Sequence, residues 1–241
     1  MNNLSSEFLE GLTHFGLTLD DHQAASLVKY RDQLIIWNKK FNLTAIKSEF
    51  DIEIKLFLDS LSIANYIDRN RPVKVLDLGS GAGIPGLPLK ILFPHIEMHL
   101  LESQKKKVSF IEHIISTLEL NKSTYATNER AETLAHHISH REKYDYVICR
   151  AVAKLPVLIE LSLPFLKTGG HLLAQKNGDI TTEISESEKA LTTIGGYVKT
   201  IHNIKSSFLP TGRKIVDIEK QTNSPILFPR RPGIPNKNPL K

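Results

Sequence analysis

Cysteine is almost absent: Cys149 is the single one in 241 residues. That excludes an internal disulfide and a thiolate metal cage, and it fits a reducing, cytoplasmic setting. No two histidines stand at metal-ligand spacing with a carboxylate, so no metal is expected; His136 and His137 are adjacent and cannot share a helix face. No apolar run is long enough to cross a membrane, and the first eight residues lack the basic-then-apolar pattern of a secretory signal. Internal repeats are absent too. Cys149 alternates with the apolar face of a strand and reads as a small buried residue rather than a nucleophile.

Charge is modest, a formal +5, but unevenly placed. Residues 224–241 hold Arg230, Arg231, Lys237 and Lys241 with no acid, and Lys105, Lys106 and Lys107 form a second cluster. Both suggest a polyanionic partner. With 41% apolar and 24% charged residues the chain is an ordinary globular one, long enough for a substantial core.

The richest stretch is V-K-V-L-D-L-G-S-G-A-G-I-P-G, residues 73–86. An apolar run ends on Asp77, then Gly79, Gly81, Gly83 and Gly86 follow, and Leu87, Leu89, Ile91 and Leu92 resume at helical spacing. Strand, tight loop and helix start together describe a nucleotide-type cofactor pocket. Gly81, Gly83 and Gly86 satisfy G-x-G-x-x-G, which leaves a dinucleotide open. Asp77 would repel a pyrophosphate, and Pro85 removes an amide that could face one. S-adenosylmethionine, cationic and free of phosphate, suits an Asp-x-Gly-x-Gly loop better. Glu102 ends the second strand 16 residues beyond Gly86, in place to grip ribose hydroxyls of either ligand. After the third strand, Glu132 could reach an adenine amino group or simply charge a helix start. Arg150, at the end of the fourth strand, could hold a cofactor carboxylate or a phosphate.

Residues 1–70 predict helices only: one around Phe8, Leu9, Leu12 and Phe15, one capped by Asp20 or Asp21 and carrying Leu27, Tyr30, Leu34, Ile35 and Trp37, and one over 49–68. From residue 71 strands and helices alternate. Strands are expected at 73–78, 97–101, 124–126, 144–149, 171–175, 197–204 and 214–219, and helices at 87–93, 105–118, 131–138, 155–166 and 181–194. That rhythm predicts a seven-stranded, mainly parallel α/β sheet ending in a hairpin-like pair, the class I (Rossmann-like) methyltransferase arrangement, over 71–222. Pro225, Pro229, Pro232, Pro235 and Pro239 make 223–241 an extended arm.

The assembled pieces resemble the ribosomal small-subunit methyltransferase G family, also called glucose-inhibited division protein B. The matching stretches are Trp37-Asn38-Lys39-Lys40-Phe41-Asn42-Leu43-Thr44, Leu58-Asp59-Ser60-Leu61, the loop from Asp77 to Gly86, Leu100-Leu101-Glu102-Ser103 with Lys106 and Lys107, Arg130-Ala131-Glu132, Cys149-Arg150-Ala151-Val152-Ala153, and the tail from Phe228 to Leu240. The resemblance implies methyl transfer from S-adenosylmethionine to N7 of a guanosine in the decoding-region loop of 16S ribosomal RNA, free or within the small subunit; separately from it, a cytoplasmic monomer is expected. It carries cofactor contacts onto Gly79, Ile84, Ala131, Glu132 and Arg150; the residue-level reading adds Asp77, Gly81 and Glu102. RNA contacts are expected at Lys39, Lys40, Asn42, Lys106, Lys107, Arg230 and Arg231, with Arg150 the one candidate for a role at the reacting centre. The N-P-P-Y motif of amino-group methyltransferases is missing. Two departures stand out: Lys55-Leu56 replaces a frequent Arg-His, and Gln175-Lys176-Asn177-Gly178 is one residue longer than the usual Leu-Lys-Gly. The competing readings are an NAD(P)-dependent oxidoreductase on the same glycines and a non-catalytic ribosome-binding module.

Overall fold

The computed structural model describes residues 3–241. Seven strands form one sheet in the order β3-β2-β1-β4-β5-β7-β6: β1 (Lys74–Leu78), β2 (Glu97–Glu102), β3 (Thr124–Asn128), β4 (Tyr144–Arg150), β5 (Leu166–Asn177), β6 (Gly196–Asn203) and β7 (Arg213–Lys220). Neighbouring strands through β5 are parallel; β7 runs antiparallel to both β5 and β6, as the closing pair predicted. The central strands are apolar on both faces, so alternate residues feed two cores. Val75, Met98, Ile148, Leu173 and Ile215 point to one, and Leu76, Val147, Cys149, Leu172 and Val216 to the other.

The first core is shared with the N-terminal helices. Helix α1 (Ser6–His14) presses Gly11 against Leu58, where a Cβ would come within 2.4 Å of a leucine methyl. Helix α2 (Asp21–Phe41) opens with the expected cap: Asp20 accepts from the Gln23 amide at 2.7 Å, and Gln23 returns the bond to Asp20 at 3.0 Å. Leu27, Tyr30 and Leu34 of α2 are buried against the sheet side of the molecule. Arg31, also buried, pairs with the buried Glu53, whose second oxygen accepts from the Ser5 amide at 2.9 Å and hydroxyl at 2.6 Å.

Several elements differ from expectation for identifiable reasons. The helix over 49–68 is three segments, α3 (Glu49–Asp51), a π-helix at Ile52–Leu58 and α4 (Asp59–Leu61), and it stops at Leu61. Of the seven residues in the π segment only Lys55 is exposed, and nothing in the sequence pattern separates such a segment from an ordinary buried helix. Helix α5 (Gly86–Leu92) and α6 (Lys105–Thr117) fall as predicted. Helix α7 is only Ala131–Leu134; Ile138, meant to be its end, is 88% exposed. Helix α8 (Leu155–Ser162) yields to a 3-10 turn at Leu163–Phe165, because Pro164 cannot continue it. The helix over 181–194 splits into α9 (Thr181–Ser185) and α10 (Glu188–Ile194), where the buried Ser187 hydroxyl takes the Glu183 carbonyl at 2.6 Å. The proline-rich arm lies on the body and contains one helical turn, α11 (Ile234–Lys237), with Pro235 in its first turn, where no amide bond is lost. Among the described residues no helix is long and apolar enough to cross a membrane.

Replacing Arg31 by alanine leaves the Glu53 carboxylate buried without its cation, held only by the Ser5 amide and hydroxyl. Urea denaturation of Arg31→Ala is expected to show a loss of about 3–5 kcal/mol of unfolding free energy, the cost of breaking a buried pair from one side. A loss below about 1 kcal/mol would mean the pair is solvated.

Candidate active site

Ligands in sheets of this kind sit beyond the carboxyl ends of the strands. There the glycine loop leaves β1 and hooks over β2: the amides of Gly79 and Ser80 both donate to the Leu101 carbonyl, at 2.8 and 3.1 Å. Gly79 has φ +71, and a Cβ on it would meet a Val152 methyl at 2.9 Å, so both the turn and the crowding demand glycine. Gly81 donates its amide to Glu102 Oε2 at 3.0 Å, while Glu102 Oε1 accepts from the Gln104 amide at 2.8 Å. Tyr30 of α2 donates its hydroxyl to the Ala82 carbonyl, which braces the loop from the N-terminal helices.

Asp77, expected among the cofactor contacts, is fully buried and is not on the wall of either cavity described below; its Oδ2 accepts the Gly86 amide at 2.9 Å, and its Oδ1 has no hydrogen-bond partner. A Cβ at Gly86 would lie 2.7 Å from that oxygen, so glycine there lets the helix start settle onto the carboxylate. Burial is the main cause that lifts the Asp77 carboxyl to about 7, with the neighbouring Glu102 adding to it. Cys149 is buried as expected, and burial pushes its thiol up to about 12, out of nucleophilic use.

Two cavities open at the strand ends and share Ala153. The first, 180 Å³, is walled by Gly79, Glu102, Arg130, Ala131, Glu132 and Val152, with Asn236 from the arm. It gathers four of the predicted cofactor residues. Gly81 supports its wall through Glu102. Ile84 lies instead against the first core. Glu132, 3% exposed, is already engaged, its Oε1 accepting from Gly233 N at 3.0 Å and Arg130 Nη2 at 3.2 Å.

Arg150 lines the second cavity, 300 Å³, with Asp59, Ser62, Gln175, Lys176 and Arg213. Asp59 is 2% exposed, with Arg150 Nη1 3.2 Å from Oδ2 and Arg213 Nε 3.1 Å from Oδ1. Neither contact is aligned as a hydrogen bond: both guanidinium nitrogens, and Gln175 Oε1, remain buried polar atoms without a partner. Burial raises the Asp59 carboxyl, opposed by Arg150 and then Arg213. Gln175 Nε2 donates to the Asp59 carbonyl at 2.6 Å, and Lys176 Nζ bridges the Ala153 carbonyl (2.9 Å) and Glu183 (2.7 Å). Sequence reasoning missed Asp59, Gln175 and Arg213 as site residues. Asp59 had one signal, its place in the Leu58–Leu61 stretch of the resemblance; contacts spanning 91 to 154 residues leave no local pattern.

The predicted RNA residues divide. Trp37 lies against Phe110, at 5.5 Å between ring centroids, while Lys29 reaches the Thr117 carbonyl, so α2 and α6 run antiparallel. The exposed Lys39, Lys40 and Asn42 thus approach the start of α6, where Lys106 is exposed and Lys107 half-buried, near the end of β2 that carries Glu102. Arg231 is exposed, but Arg230 is committed inward to the buried Glu160. Leu56, at the frequent histidine position, is buried in the first core, and Lys55 pairs with Asp51 at 2.8 Å. The additional residue near Asn177 falls where β5 ends in a turn, with Gly178 at φ +73.

Because the folded state holds a proton on Asp77 that the unfolded chain releases near pH 4, this group favours folding most below pH 4. Its contribution is lost as pH rises toward 7. Asp77→Asn keeps an oxygen for Gly86 and has no such loss. The stability of wild type minus that of the variant is expected to fall between pH 4 and pH 7 in urea titrations; a constant difference would show the carboxyl ionised throughout.

A family model described as rRNA small subunit methyltransferase G matches residues 23–215. The ribosomal RNA small subunit methyltransferase G of Bacillus subtilis (strain 168) is 40% identical over 235 residues, 98% of each chain. That of Desulforamulus reducens is 40% identical over 240 residues and covers 100% of both. Among solved structures, TYW2 of P. horikoshii in complex with MeSAdo aligns with a TM-score of 0.52 at 15% identity, over 67% of this chain and 61% of that one. The Methanococcus jannaschii fibrillarin pre-rRNA processing protein aligns at 0.51 and 17% identity, over 65% and 70%. These likenesses carry the fold, the Rossmann-like class I methyltransferase architecture. With the family model covering most of its length and relatives matched nearly end to end, the chain belongs to the rRNA small subunit methyltransferase G family.

Proposed function

We propose that the protein transfers the methyl group of S-adenosylmethionine to N7 of a guanine in 16S ribosomal RNA, in the cytoplasm. The observation that carries the reading is the pair of cavities that share Ala153, one lined by Gly79, Glu102 and Ala131 and the other by Asp59, Arg150 and Gln175.

The first cavity fits the donor. Gly79 brings bare backbone to its wall, and Glu102, though bonded to two amides, keeps lone pairs for ribose hydroxyls. The cofactor supplies a methyl group already activated by its sulfonium. The second cavity fits guanine. Asp59 offers a carboxylate to the N1–H and N2 amino edge, Gln175 Oε1 is an unpartnered acceptor, and Arg150 Nη1 an unpartnered donor toward O6. That mode leaves N7 free. N7 has a lone pair and no proton to lose, so the chain needs no general base. Alignment and exclusion of water carry the chemistry, and positioning alone is worth roughly 7–11 kcal/mol. Lys39, Lys40, Lys106, Lys107 and Arg231 would meet phosphates, with binding that weakens as salt rises.

Calorimetric titration is expected to show binding of S-adenosylhomocysteine and none of NAD; the reverse would select the oxidoreductase. The product is expected to be an N7-methylguanosine, mapped by borohydride and aniline cleavage of the RNA, and no cleavage would leave only a binding module. Asp59→Asn should lower kcat/KM for RNA by about 5- to 150-fold, the ~1–3 kcal/mol of one bidentate base contact, with S-adenosylhomocysteine affinity unchanged. A variant impaired in cofactor affinity instead would place Asp59 in the donor's site.

A further inference from the structure

The arm at 223–241 is held to the body by more than its prolines. Arg141 donates to three of its carbonyls, those of Ser224 (2.7 Å), Pro225 (3.0 Å) and Phe228 (2.8 Å). His136 bonds the Pro229 carbonyl at 2.8 Å. Arg230 grips the fully buried Glu160 with both Nε (2.9 Å) and Nη2 (2.6 Å), and its own amide adds a third bond at 2.8 Å. A charge-assisted fork of this kind fixes direction as well as position. The next residues arrive at the first cavity: the Gly233 amide, at φ +84, donates to Glu132, and Asn236 is on the cavity wall.

That placement reassigns a role. An acid after β3 is the natural reader of an adenine amino group, yet Glu132 Oε1 already takes the arm's amide and Arg130. Asn236 lines this cavity together with Glu102, Arg130, Ala131 and Glu132, three residues after the Gly233 amide that is bonded to Glu132. Its carboxamide offers one donor and one acceptor, the complement of adenine N6 and the neighbouring ring nitrogen. We infer that the C-terminal arm completes the methyl donor's site, with Asn236 a specificity residue for the adenine and Glu132 the post to which the arm is tied. The inference rests on the donor proposed above.

The outer side of the arm carries the exposed Arg231 and Lys237. One short segment therefore walls the donor's cavity on its inside and presents cations on its outside. Donor binding should hold the arm down.

The test uses the full chain. Saturating S-adenosylhomocysteine is expected to slow hydrogen–deuterium exchange in peptides spanning 230–241 at least threefold, and Asn236→Ala, at an exposed position, is expected to weaken its binding about tenfold without moving the melting temperature of the free protein. Unchanged exchange in the arm overturns the inference, as does an affinity within twofold of wild type in Asn236→Ala. If wild type itself fails to bind S-adenosylhomocysteine, the donor assignment falls and this inference with it, so the two failures are told apart by the wild-type titration.

Discussion

A carboxylate with no access to water organises the site. Asp77 sits under the glycine loop and accepts the amide that begins α5, so the end of β1 and the start of the next helix are bound to one side chain. The loop between them cannot relax outward, because Gly79 and Ser80 are tied to the Leu101 carbonyl and Gly81 to Glu102. The result is a stretch of main chain stretched over two strand ends and fixed from below and from the side. A ligand meets a surface that is already shaped, which is what a reaction without a general base requires. A neutral Asp77 makes this arrangement cheaper to bury, consistent with its raised carboxyl.

The N-terminal helices extend that logic to the second cavity. Through the Tyr30 hydroxyl, α2 supports the loop; through the π segment and α4, the chain delivers Asp59 to a point between Arg150 of β4 and Arg213 of β7. A wide helical turn changes the direction of the residues after it, and here it lets six neighbours be buried while the carboxylate still reaches the sheet. Two cations on one acid, neither aligned as a hydrogen bond, leave hydrogen-bonding capacity facing the cavity. Unpartnered buried polar atoms are costly, and sites that bind polar ligands are where that cost is accepted.

Much of this was legible. Seven strands, their order of appearance, the antiparallel close and the capped second helix all follow from local patterns of two and of three to four residues. The departures have particular sources: a π segment that no residue pattern marks, a Ser187 hydroxyl bonded to the Glu183 carbonyl where the helix breaks, and Pro164, which ends α8. Glu102, Gly79, Ala131 and Glu132 were correctly brought to one cavity because strand ends converge there. Charge in a sequence says nothing of which way a side chain turns: Asp77 bonds the Gly86 amide and Arg230 the buried Glu160, contacts with no local signature.

By itself the sequence determined the α/β architecture, the loop that a nucleoside can approach, the absence of a reactive cysteine, and the family, since these rest on residue type and spacing along the chain. Only the tertiary structure decided which acid supports the loop and which lines a cavity, that Asp59 meets Arg150 and Arg213, and that the arm reaches the cavity walled by Gly79 and Glu102. The Asp59 pairs and the arm's contacts join residues 70 to 154 positions apart. Distance along a chain carries no direction in space, so such pairings exist only once the sheet has set where each strand ends.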